Sequence, residues 1–172
     1  MTLGVFDNFP PNIQFVQSFT STIPSRQLQQ RLIQMLYDIN RGEFTFEEVA
    51  HPTIPGCRII FEFGLADACS FNYIDEEEVK KATNLLANQT LRNMDFFCVI
   101  RYYKGEREKK RALKFDYYLI RTIYDRSIFE IQVYLKKGLR YVSPEDLMLF
   151  IFDRLNEASN RKVLKKQPSK PT

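Results

Sequence analysis

Between residues 95 and 136 the chain presents three strand-like segments in a row, 95–104, 113–125 and 128–136. They are separated only by the charged stretch KGEREKKR and by the turn Asp125-Arg126-Ser127. Parallel neighbours need a crossover of a dozen or more residues, usually a helix, so strands joined this closely form an antiparallel meander. Whatever else the chain does, it folds around this sheet.

Side chains alternate across a strand. Reading each strand separately puts Leu113, Phe115, Tyr117, Leu119 and Ile123 on one face, with Arg121 out of pattern. Phe129, Ile131, Val133 and Leu135 form an apolar face on the next strand. We expect these two sets to share the core. The other face then carries Lys114, Asp116, Tyr118, Ile120, Thr122 and Tyr124, followed by Glu130, Gln132, Tyr134 and Lys136. Half-solvated antiparallel strands have this mixture, because Tyr and Thr suit strands and opposite charges pair across them.

The flanking sequence supplies helices and further strands. Residues 13–23 read as a strand, and Pro24 and Ser25 open a helix with the stripe Leu28, Leu32, Met35, Leu36 and Ile39, stopped near Gly42. Residues 43–50 and 58–64 read as an antiparallel pair, and CSFNYI as a short strand. Asp75 caps a second helix whose first turn holds Glu76, Glu77 and Glu78, where unpaired N–H groups favour negative charge. Ser143 and Pro144 open a third helix, with Asp146 where a capping box would place Glu or Gln. Leu147, Phe150, Ile151 and Leu155 form one stripe on it and Met148 and Phe152 a second, so it is apolar over much of its girth.

These elements predict an α+β fold. Two strand–helix–strand–strand units plus an extra strand build a curved, mainly antiparallel sheet, open or barrel-like, packed with three helices. The order of elements is similar to that of the β-barrel subunits of the Mediator head module, and to saddle-shaped domains of the TATA-binding type. That likeness is one of element order, and no site residue follows from it.

Charge divides the chain further. The net charge is +4, and the segment 161–172 carries Arg161, Lys162, Lys165, Lys166 and Lys170 with no acid. Removing these five leaves 1–160 at −1. We therefore expect one domain over 1–160 and a basic flexible tail over 161–172. The N-terminal sequence lacks the basic-then-apolar pattern of a signal peptide, and no apolar run is long enough for a membrane span. Cys57, Cys69 and Cys98 form no CxxC pair. They read as reduced thiols in an intracellular protein, cytoplasmic or nuclear.

Little in the sequence points to a reaction. His51 is the only His and precedes a proline. No zinc-like spacing or phosphate-cradling glycine loop is present. The strand carboxylates Glu62, Asp95, Asp116 and Glu130 show no diagnostic spacing. We expect no catalytic residue, no cofactor and no metal. The leading expectation is a non-catalytic interaction or assembly subunit of a multiprotein complex, with a protein partner or a second copy of itself. Its contact surface is expected at Tyr118, Tyr124, Tyr134, Met148 and Phe152, because Tyr gives contact area at low entropy cost. The alternative is RNA or DNA binding through the 104–111 loop and the tail, with contacts at Lys109, Lys110, Arg111, Lys165 and Lys166. Tyr102, Tyr103, Tyr118 and Tyr134 would then be available for stacking on bases.

Overall fold

The computed structural model describes residues 2–5, 9–11, 13–104, 111–157 and 162–167, with the side chains of 5 and 111–113 excluded. It is an α+β fold: a nine-stranded antiparallel sheet with three helices. In chain order the strands are β1 (Thr2–Val5), β2 (Phe15–Ser21), β3 (Phe44–Thr45), β4 (Cys57–Asp67), β5 (Ser70–Tyr73), β6 (Asn93–Lys104), β7 (Arg111–Asp125), β8 (Ile128–Lys137) and β9 (Leu164–Lys166). The helices are α1 (Ser25–Asn40), α2 (Glu76–Asn88) and α3 (Pro144–Glu157). Across the sheet the order is β1-β5-β4-β6-β7-β8-β2-β9, with β3 on β4.

The expected meander is β6-β7-β8, with β4 beside β6 and β2 beside β8; β2-α1-β3-β4 and β5-α2-β6-β7 are the two strand–helix–strand–strand units, and β8 is the extra strand. The barrel-like alternative is not formed. The sheet is open, because β1 and β9 end it and do not pair with one another. β9 itself departs from expectation: residues 164–166, assigned to a tail, pair with Ser21, Thr20 and Phe19 of β2.

Helix ends follow their signals. The Asp75 side chain accepts from Glu78 N at 2.9 Å, and Ser143 Oγ accepts from Asp146 N at 3.1 Å. Asp146 does not complete a capping box; its carboxylate accepts instead from His51 N at 3.4 Å. The capping box that does form belongs to the 3-10 turn Phe46–Glu48, between Thr45 and Glu48.

Helical residues Leu28, Leu32, Leu36, Ile39, Ala82, Leu147 and Ile151 join Phe61, Phe63, Phe96, Ile100, Ile120, Phe129 and Ile131 in one core. The helices therefore cover one sheet face, here called the inner face. Aromatic rings fill it: Phe150 stacks on Phe61 at 5.2 Å and Phe152 on Phe19 at 4.8 Å.

Side-chain amides fasten connections onto this frame. Gln29, fully buried on α1, bonds both the N–H and the carbonyl of Leu91 (3.2 and 2.6 Å). Asn40 accepts from Phe63 N at 2.7 Å and donates to Phe63 O and Ile74 O. Asn156 on α3 accepts from Val163 N and Leu164 N, both at 2.9 Å, and donates to Leu164 O. Each amide bonds backbone N–H and C=O groups of another segment.

Candidate functional site: the outer face of the sheet

The face assignment of β7 needs correction. Asp125 pairs with Ile128, so Tyr124 opposes Phe129, Thr122 opposes Ile131 and Ile120 opposes Val133. Directly opposed residues share a face. Asp116, Tyr118, Ile120, Thr122 and Tyr124 therefore enter the core, while Phe115, Tyr117, Arg121 and Ile123 stand on the outer face. Leu119 is buried on that outer face, opposite Tyr134. A two-residue turn forces this inversion, because it pairs odd-numbered positions with even ones.

Of the expected contact residues, Tyr118, Tyr124 and Met148 are thus buried and offer no surface in this chain. Tyr134 is half-buried on the outer face, and Phe152 is half-buried against Phe19. Lys165 and Lys166 are exposed on β9. Arg111 opens β7, whereas Lys109 and Lys110 lie outside the described residues.

Tyr118 and its neighbours form a closed polar cluster. Asp116 is 1% exposed. Its carboxylate accepts from Tyr102 Oη at 2.6 Å and from the backbone N–H groups of Arg140 and Tyr141, both at 3.0 Å. Tyr118 Oη donates to Val142 O. Gly138, at φ +131°, lets the loop approach closely: a Cβ there would lie 2.0 Å from Asp116 Oδ1. Burial pushes the Tyr102 and Tyr118 hydroxyls far above their ordinary range, and the neighbouring Asp116 adds to both shifts. Burial likewise raises the Cys98 thiol well above its usual value. The cluster ties the 138–142 loop to β6 and β7.

The other strand carboxylates each have a partner of their own. Glu62 holds Arg101 at 2.7 Å, Asp95 holds Arg121 through two bonds of 2.7 and 2.9 Å, and Glu130 accepts from Gln132 at 2.7 Å. They do not converge on one point among the described residues.

The outer face presents a more open chemistry. The rings of Phe71, Phe97, Tyr117 and Phe115 run side by side across β5, β6 and β7, with centroids 5.5, 5.8 and 6.3 Å apart and planes within 27° of parallel. Phe71 is buried, Phe97 and Tyr117 are half-buried, and Phe115 is 37% exposed. Arg101 lies 4.8 Å over the Phe115 ring, and Arg121 lies 4.7 Å from the Phe9 ring.

Within this face is an open groove of about 570 Å³ lined by Thr2, Leu3, Glu62, Phe97, Val99, Arg101, Tyr117, Lys136 and Lys137. Phe97, Val99 and Tyr117 form an apolar floor. β1 supplies one wall, and Gly64 permits it: a Cβ there would stand 2.9 Å from Leu3 Cδ1. Lys136 and Lys137, both exposed, supply charge at the end of β8. The sequence reading missed Phe97, Val99, Arg101 and Lys137 and placed Tyr117 in the core. The pairing rule of the two-residue turn is the signal that exposes the last of these.

Among the described residues no helix is long and apolar enough to cross a membrane. Compared with known protein families, curated proteins and solved structures, the chain gives no match.

Proposed function

We propose that this chain is a non-catalytic interaction subunit of a multiprotein assembly, and that it binds its protein partner through the outer face of the sheet. One observation carries the reading: the helices leave that face open, and the aromatic row Phe97–Tyr117–Phe115 lies on it beside the cations Arg101, Lys136 and Lys137. Aromatic residues and Arg are enriched in protein interfaces. Net positive charge in the groove selects a partner with an acidic surface.

The test is retention in the native assembly. The double variant Phe115→Asp/Tyr117→Asp should leave the assembly while melting as a folded free chain. Leu85→Asp, which changes an exposed residue of α2, should remain bound. A Phe115/Tyr117 variant that stays in the assembly refutes the reading, as does a native chain that runs alone as a monomer.

A second reading, single-stranded RNA or DNA binding, rests on the exposed Lys104, Lys114, Lys136 and Lys137 at one end of the β6-β7-β8 meander. It requires oligonucleotide affinity that falls steeply with salt. Salt-independent or absent binding removes it.

A further inference from the structure

We infer that the outer-face groove is built for an extended, acidic peptide segment of the partner, with carboxylates on Lys136 and Lys137 and apolar side chains on the floor. This inference rests on the assembly reading above and names what that partner presents.

Repeat distance supports an extended occupant. Phe97, Val99 and Arg101 follow one another at alternate positions along β6, so they recur about every 7 Å, the spacing of same-face side chains in an extended chain. A strand-like segment laid along β6 meets an apolar residue, an apolar residue and a cation in step with its own alternation. A helix, rising 1.5 Å per residue, does not keep this register.

Charge supports an acidic occupant. Among the described residues, Arg101, Lys136 and Lys137 stand against the single carboxylate of Glu62, so the lining is net +2. Arg101 is held by Glu62 at 2.7 Å and by the Phe115 ring, whereas Lys136 and Lys137 are exposed. The two lysines are the groups that a partner carboxylate meets first.

The same geometry favours a peptide over nucleic acid. Base stacking needs open ring faces. Phe97 and Tyr117 are half-buried and lie beside other rings, and Leu3 closes one side.

The test uses a labelled synthetic heptapeptide that alternates Asp or Glu with Leu or Phe. Its controls are the same peptide with Asn and Gln for the acids, and oligodeoxythymidylate. Binding to the full chain is read by fluorescence anisotropy at low and high salt. The acidic peptide should bind and weaken with salt. Lys136→Ala/Lys137→Ala and Tyr117→Ala should each weaken it about tenfold, with the lysine variant melting as the native chain does and the Tyr117 variant still melting as a folded chain. Equal binding of the uncharged peptide, no effect of the lysine change, or tighter binding of oligodeoxythymidylate overturns the inference. If the acidic peptide fails while Phe115→Asp/Tyr117→Asp still leaves the assembly, only this inference falls. If that variant stays in the assembly, the reading beneath it falls as well.

Discussion

Two glycine substitutions separate backbone strain from contact. Gly138 and Gly56 both have positive φ, +131° and +70°. Around Gly56 nothing lies within 4 Å of a built Cβ, so Gly56→Ala carries only the left-handed backbone cost, about 1 kcal/mol. Gly138→Ala begins with a backbone conformation costing about 1–3 kcal/mol. Its Cβ also meets Asp116 Oδ1 at 2.0 Å, Asp116 Cα at 2.8 Å and Phe115 O at 2.8 Å. Two of these three atoms are backbone, so the loop must lift. Lifting it removes the Arg140 and Tyr141 N–H groups from a buried carboxylate, at about 1–3 kcal/mol. The sum is about 2–6 kcal/mol. In a chain of this length each kcal/mol shifts Tm by about 2–4 °C. Gly138→Ala should therefore lower Tm by about 10 °C and Gly56→Ala by about 3 °C, read in parallel thermal and urea melts. If the two variants agree within about 1 kcal/mol, the Asp116 clasp does not hold the loop.

Other tests follow from the same core. Tyr102, Tyr118 and Tyr124 are buried, with hydroxyls raised above the ordinary value of 10.0, so the folded state keeps protons that the unfolded state releases. Their stabilisation is intact below pH 10 and falls above it, by up to about 1.4 kcal/mol per pH unit for each tyrosine. Urea midpoints from pH 8 to pH 11 measure the slope, and Tyr124→Phe should make it shallower. Asn156→Ala should release β9, seen as faster amide exchange at Val163 and Leu164 with the exchange of β6 unchanged. Thiol labelling of the folded chain should modify the exposed Cys69 and spare Cys57 and Cys98 until denaturant is added.

Sequence and structure agree where a residue's role is set by its immediate neighbours. Asp75 and Ser143 cap helices because the cap and the N–H it accepts from are only three residues apart. The β6-β7-β8 meander was readable for the same reason, since short connections leave one way to pair. The faces of β8 were also readable, because Phe129, Ile131 and Val133 are apolar on one side only. β7 is apolar on both sides, so composition gave no answer, and only its pairing with β8 decides that Tyr118 is buried and Tyr117 is not. β9 was hidden differently. Lys165 and Lys166 are exposed, and the strand is held by Asn156 and β2, partners whose proximity no local pattern announces. The outer groove combines β1, β4, β6, β7 and β8, and no single segment records that meeting.

The place of β2 in the sheet has a consequence for biosynthesis. Both its neighbours, β8 and β9, come much later in the chain, and the Ser18–Glu130 bond joins positions 112 residues apart. A nascent chain leaving the ribosome therefore carries β2 as a bare edge, with Phe15 and Phe19, until β8 has been translated. A stall before Ile128 leaves that edge without its mate, which makes β2 a segment for chaperones to guard.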